Sequence, residues 1–206
     1  MKGIFSVESP LNKGLTVVAD LMLVNFLFLL FSLPIVTIGA SLTAMNSVTL
    51  KLTRKEQPSI LKNFWESFKE NLKQATILWF LTLGMGAVLF AWYIVIENLI
   101  YVEMASIFRI FLYIFMVLFT IMIIYVFFLQ AMFTNKIIST IKNSLILSIK
   151  HLFFSFLSIL IIFIGVFITI FYPKIVGYGI IVVLIGFSLT SYCIAFLMNR
   201  VFQPYR

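Results

Sequence analysis

The sequence predicts an all-α, polytopic helical membrane protein, and three observations predict it. Of its 206 residues, 63% are hydrophobic and only 11% charged, with a mean hydropathy of +1.15; ordinary soluble domains carry about 25% charged residues. Several runs reach the roughly 20 apolar residues needed to cross a hydrocarbon core of about 30 Å. The polar segments between these runs are short, so residues 1–206 are expected to form a single integral membrane domain.

The opening stretch, "MKGIFSVESPLNKG", is too polar for the start of a typical signal peptide, and the first apolar run is expected to be retained. Leu21 to Leu50 then carries no charge. As one straight helix it would be about 45 Å long at 1.5 Å per residue, more than one crossing. Within it "FSLPIVTIGASLT", Phe31 to Thr43, places a proline and a glycine. The expectation is a hairpin of two short arms, roughly Val17 to Leu33 and Ala40 to Leu52, spanning a locally thinned bilayer or re-entering it. The alternative is a single crossing, giving five membrane segments instead of six.

Charge favours six segments, because cytoplasmic loops carry the Lys and Arg excess. With a hairpin only Arg109 and Lys174 fall outside; with a single crossing Lys2 and Lys13 join them. The six-segment arrangement places both termini on the cytoplasmic side of the cell membrane. The net charge of +8 is then accounted for by topology, and nucleic-acid binding is not expected.

Four later spans follow in order: Ala75 to Ile96, Ile107 to Gln130, Leu152 to Tyr172, and Ile175 to Leu197. The second can continue as helix toward Asn135. "YPK", Tyr172 to Lys174, reads as the tight turn between the last two, since proline disfavours helix at the residue before it.

Amphipathic interfacial helices are expected before two of these spans. Ser59 can cap a helix that follows Pro58. On it Ile60, Leu61, Phe64, Trp65, Phe68 and Leu72 share one face, and Lys62, Glu66, Lys69, Glu70 and Lys73 take the other. Such a helix either lies in the headgroup layer or docks a partner. "LKNFWESFKENLKQA" from Leu61 and "IKNSLILSIKHLFFS" from Ile141 share Lys-Asn and Ser-x-Lys at nearly equal offset, suggesting a repeated module of interfacial helix and paired spans. The segment before Leu21 would be a third, degenerate copy, with "AMN", "AMFTN" and "LMNR" closing the hairpins.

Chemistry-bearing residues are sparse. Asp20 and Asn25 sit about 140° apart on a helix; they read as an interfacial carboxylate and an interhelical hydrogen bond, or as ion or substrate ligands. No span holds the ionisable pairs of a proton relay or a carboxylate cluster for sodium, which disfavours coupled transport. The broken segment around Asn25, Pro34 and Gly39 keeps a carrier open, since discontinuous helices can offer backbone groups to a solute. Its plainer reading is a packed turn. Gly84, Ala87 and Ala91, with Ser155, Ser158 and Gly165 and with Ser188, Ser191 and Ala195, permit close helix approach. The lone His151 has no evident partner and reads as solvated or headgroup-facing, and the lone Cys193 as a packing residue. No HExxH, nucleophile-elbow or Walker A pattern is present, and no cofactor or metal is implied.

"ADLMLVNFLFLLFSLPIVTIGASLTAMNSVTLKL", Ala19 to Leu52, with "FWESFKENLKQATILWF", Phe64 to Phe80, resembles the YesL family of integral membrane proteins, mainly of Gram-positive bacteria and of unknown function. The resemblance implies an accessory role in carbohydrate uptake or sensing, since its members are often encoded beside carbohydrate ABC importers, solute-binding proteins, glycoside hydrolases and two-component regulators. It supplies no catalytic residues, and the chain lacks the coupling loop of ABC permeases.

The function expected is therefore that of a non-enzymatic membrane accessory protein, a partner of an importer or a sensor kinase. Its contact residues would be Lys51, Arg54, Lys55, Phe64, Trp65, Phe68 and Lys69. The alternative is a small-solute carrier built around Asn25, Pro34 and Gly39.

Overall fold

The computed structural model describes residues 10–56, 59–99, 102–171 and 182–205, and every regular element among them is helical. The order is α1 (Pro10–Ser32), a 3₁₀ turn (Ile35–Thr37), α2 (Ile38–Thr53), α3 (Ile60–Leu99), α4 (Val102–Met132), α5 (Ile137–Lys150) and α6 (Leu152–Phe171). A π-helical turn (Val182–Gly186) then leads into α7 (Phe187–Phe202), and the 3₁₀ turn Gln203–Tyr205 follows. Among the described residues five helical stretches are long and apolar enough to cross a membrane, and a sixth is reached if α5 and α6 count as one bent span. The "YPK" turn and the start of the last expected span lie outside the described residues.

The chain folds back at Pro34. Proline has no N–H to continue the helix, and it adopts extended backbone, φ −76° and ψ 120°. Thr37 Oγ1 lies 2.7 Å from the Phe31 carbonyl and 2.9 Å from that of Pro34, supplying a donor where the helix has stopped. Register on α7 shows the reversal. Ser188 bonds Asn25 and Leu21 of α1, while Ser191, one turn on, bonds Asn46 of α2. Along a straight helix Asn25 and Asn46 would stand about 30 Å apart.

α2 is the centre of the molecule. It runs antiparallel to α3, with Gly39 against Ala75 and Trp79, and Lys51 bonded to Asn63. It runs parallel to α7, with Asn46 at Ser191 and Thr53 at Asn199. Leu21, Val24, Leu27 and Phe28 of α1, Ala40, Ala44, Met45 and Val48 of α2, and Ile60, Phe64 and Phe68 of α3 form one apolar cluster. A second cluster joins Leu50 to Ile121, Tyr125, Phe128 and Leu129 of α4, Leu147 of α5, and Ile194 to Phe202 of α7.

The remaining halves of α3 and α4 leave this core as an antiparallel pair. Ile96 packs with Leu112, and Arg109 meets Glu97 at 3.0 Å. Their outer faces expose Phe80, Leu83, Val88, Phe90, Ile94, Ile107, Ile110, Phe111, Phe115 and Val117. Exposed aliphatics and aromatics in such continuity have lipid as their solvent.

The amphipathic stretch after Ser59 is not a separate helix lying flat. It is the first part of α3, a single helix of 40 residues, about 60 Å long at 1.5 Å per residue. Nothing between Lys73 and Leu78 breaks the backbone pattern; only the side-chain chemistry changes. The second copy behaves differently, because α5 and α6 meet at 97°.

Burial nevertheless repeats between the copies at an offset of eighty residues, as in Lys62 and Lys142. Ile60 and Thr140, Phe64 and Ser144, Phe68 and Ser148, Ala75 and Ser155, and Leu78 and Ser158 are buried pairwise. The segment before Leu21, expected as a third copy, lies in part outside the described residues, and the three closing motifs sit differently. Asn46 is buried in mid-helix, Asn135 follows the end of α4, and Asn199 lies near the end of α7.

Candidate functional site

α2 ends in a cap that arranges its three cations. Lys55 takes the left-handed conformation, φ 60°; its N–H bonds the Leu52 carbonyl at 3.0 Å, and the Glu56 N–H bonds that of Lys51 at 3.2 Å. These are the two hydrogen bonds of a Schellman motif, whose left-handed position is usually glycine. A lysine there stores a strain that glycine would relieve. Lys51 donates to Asn63 on α3, and Arg54 Nε meets Glu56 at 2.9 Å.

The end of α4 lies beside this cap. Between them is a notch of about 290 Å³, lined by Ser47, Leu50, Lys51, Arg54, Ala131, Met132 and Phe133. Its lining mixes apolar side chains (Leu50, Ala131, Met132, Phe133) with Ser47 and the cationic Lys51 and Arg54. Such a notch can receive an acidic or carboxylate-bearing group attached to an apolar one.

The expected aromatic contact residues divide. Phe64 is 1% exposed and Phe68 is also buried, while Trp65 is 45% exposed. Phe31, at the end of α1, brings them together, its ring 5.8 Å from Phe64, 5.5 Å from Trp65 and 5.0 Å from Phe68. Phe64 and Phe68 thus fasten α1 and α2 to α3 and are not available to a partner. Trp65 remains available, with the Lys69 ammonium 5.2 Å from its ring centre, a cation–π distance. Lys62, Glu66, Glu70 and Lys73 are exposed, as their helical spacing predicts.

The broken segment has a different job from the one a carrier would need. Asn25 is fully buried. Its Nδ2 donates to the Val183 carbonyl at 2.5 Å, and its Oδ1 accepts from the Ser188 N–H at 3.0 Å. These are backbone groups that the π turn before α7 leaves out of α-helical pairing, so the carboxamide patches the turn from both sides. Gly39 is equally committed, since a Cβ there would stand 2.4 Å from the Ala75 carbonyl oxygen and 2.7 Å from Trp79 Cβ. Pro34 is exposed at the turn.

Sequence reasoning missed two polar centres. Gln130, buried on α4, donates to Asn71 and Gln74 of α3 at 2.9 Å each, and Thr140 of α5 approaches its oxygen at 3.4 Å. At the α5–α6 corner, Ser155 Oγ lies 2.8 Å from the Ser148 carbonyl freed by the bend and 3.1 Å from Tyr125 Oη. His151 forms that corner, half-buried between Phe154 and Tyr205, and Lys150 donates to Tyr205 at 2.8 Å. Cys193 is exposed on α7. The polar residues between apolar runs were the available signal, but sequence gives no pairing.

This arrangement defines a polytopic helical membrane protein whose polar side chains are largely spent on stitching helices together. Residues 21–93, from Leu21 of α1 to the outer half of α3, match the model of a family described as "Protein of unknown function, DUF624". That family is the YesL family, so over this part of the chain the resemblance carried by the two sequence blocks is to the family that matches. No curated protein and no solved structure matches the chain.

Proposed function

We propose that the protein is a non-enzymatic membrane accessory protein that docks a partner at the α2–α4 notch. The carrying observation is the notch itself, where Lys51 and Arg54 stand beside Leu50, Met132 and Phe133, next to a lysine held at a position that favours glycine. Outliers of this kind concentrate at functional sites. The exposed Trp65–Lys69 pair offers a second surface, on a different face of α3 from Asn63. The carrier alternative gains no comparable support, because Asn25 and Gly39 are used up in packing.

The class of partner comes from the family resemblance, a carbohydrate importer or a sensor kinase, with the notch facing the cytoplasm. The test is mass spectrometry of proteins that co-purify with the tagged chain, extracted gently from cells grown on a complex glycan. Importer or kinase subunits should be recovered with the native chain and lost with Arg54→Glu and Lys55→Glu. Recovery of the chain alone, with glycan uptake unaffected by these changes and by Trp65→Ala, would sink the proposal.

A further inference from the structure

The repeat makes an unusual feature of α5 legible. Its inner face is hydroxylic, with Thr140, Ser144 and Ser148 buried. Ser144 and Ser148 return their hydroxyls to carbonyls of their own helix, Ile141 at 2.7 Å and Leu145 at 2.9 Å. Its outer face exposes Ile138, 81% accessible, with Leu145, Ile146 and Ile149. A water-facing helix has the opposite polarity.

The first copy supplies the internal control. At the equivalent exposed positions α3 carries Trp65, Glu66 and Lys69 where α5 carries Leu145, Ile146 and Ile149. Burial is the same, yet isoleucine replaces the charge at 66 and 69 and leucine replaces the tryptophan at 65, while the equivalents of Lys62 and Glu70, Lys142 and Lys150, stay charged. The solvent met by the two faces must therefore differ.

We propose that the outer face of α5 is a phospholipid-binding surface, lying flat in the headgroup layer of the leaflet where α6 begins, and that it favours anionic lipid. The 97° angle between α5 and α6 sets α5 along the bilayer plane when α6 spans. The surface is continuous with the exposed Leu152, Phe153 and Phe156 of α6, which meet the acyl chains. Lys142 is exposed on the same face as Ile138, Leu145 and Ile149, and a lysine so placed snorkels its ammonium to phosphate. Lys136, exposed at the start of α5, adds a second cation. This inference is independent of the docking notch.

The test uses the full chain with Cys193 replaced by alanine, in nanodiscs, with nitroxide labels introduced at positions 145 and 149 and, as a water-facing control, at 66. Collision with oxygen, which concentrates in lipid, should exceed collision with a nickel chelate several-fold at 145 and 149, and the order should reverse at 66. Equal nickel access at all three would overturn the proposal. Shielding from both reagents in native membranes, with nickel access restored in nanodiscs, would also overturn it, by showing that a protein covers the face. Adding phosphatidylglycerol to phosphatidylcholine discs should raise the thermal midpoint of the native chain and of Lys142→Arg, but less that of Lys142→Gln. An identical rise in all three would remove the anionic preference.

Discussion

The first half of α3 and the whole of α5 occupy equivalent places, and they solve opposite problems. In α3 the inner face is aromatic and aliphatic, Ile60, Phe64 and Phe68, and the outer face is charged. In α5 the inner face is mostly hydroxylic, Thr140, Ser144 and Ser148 beside Leu147, and the outer face mostly aliphatic apart from Lys142 and Lys150. One copy is stabilised by apolar burial inside the protein. The other uses small residues, which allow helices to approach closely. A shared pattern of burial therefore does not fix side-chain chemistry; it fixes which positions must match their surroundings.

The largest break in this comparison should come from Phe64→Ala. Removing a fully buried aromatic costs about 3–5 kcal/mol, whereas Ser144→Ala at the equivalent place should cost well under half of that. Thermal unfolding in matched lipid discs measures both; equal losses would mean that the two inner faces are packed alike.

Gly39→Ala should follow. The added methyl meets a backbone oxygen of α3, which cannot swing aside, and overpacking of this kind costs about 1–3 kcal/mol. Because α2 covers the first copy and not the corner at His151, protease sensitivity should rise around Pro34 and stay unchanged around His151. Equal sensitivity at both would argue against such localisation.

Ser155→Ala sharpens the comparison from the other side. Straight α3 carries Ala75 where bent α5–α6 carries Ser155, and the hydroxyl supplies the hydrogen bond that the bend removes from Ser148. Its loss should cost about 1–3 kcal/mol, the usual range for a buried group left without a partner. The distance between labels on α5 and α6, read by electron–electron resonance, should broaden or lengthen. An unchanged distance distribution would show that packing alone holds the corner.

The smallest expected effect has the opposite sign. Lys55→Gly should stabilise the fold by about 1 kcal/mol, by relieving the left-handed conformation, while weakening whatever the notch docks. A destabilised variant would show that the lysine side chain outweighs its backbone strain.

How much of this was legible in the sequence depended on whether the signal was local. Pro34 ends a helix by its own chemistry, so the hairpin turn could be anticipated. Of the six residues that spacing grouped on one face, Ile60, Phe64 and Phe68 are buried while Leu61, Trp65 and Leu72 are exposed, because spacing does not say whether protein, lipid or a partner covers a side chain. The continuity of α3 was hidden because a change from charged to apolar side chains resembles a boundary, though only Gly, Pro or a competing hydrogen bond interrupts the backbone. The boundary at His151 was expected, an interfacial helix ending where the span from Leu152 begins, but its sharp angle was not. No proline or glycine marks it, and its compensating groups, Ser155 and Tyr125, are brought together only by the fold. Asn25 could be expected to bond another helix, but not to patch a π turn.

The seam between α2 and α7 sets an order of events during biogenesis. Asn46 meets Ser191, and Thr53 meets Asn199, only once α7 has been synthesised, whereas Thr49 and Thr53 also bond carbonyls within α2 itself. Until then α2 must hold the Asn46 carboxamide in lipid or beside an insertase, an unfavourable state for a polar group. Ribosome-bound chains halted before residue 182 should accordingly leave α2 open to modification at Asn46→Cys, and release of the complete chain should close it.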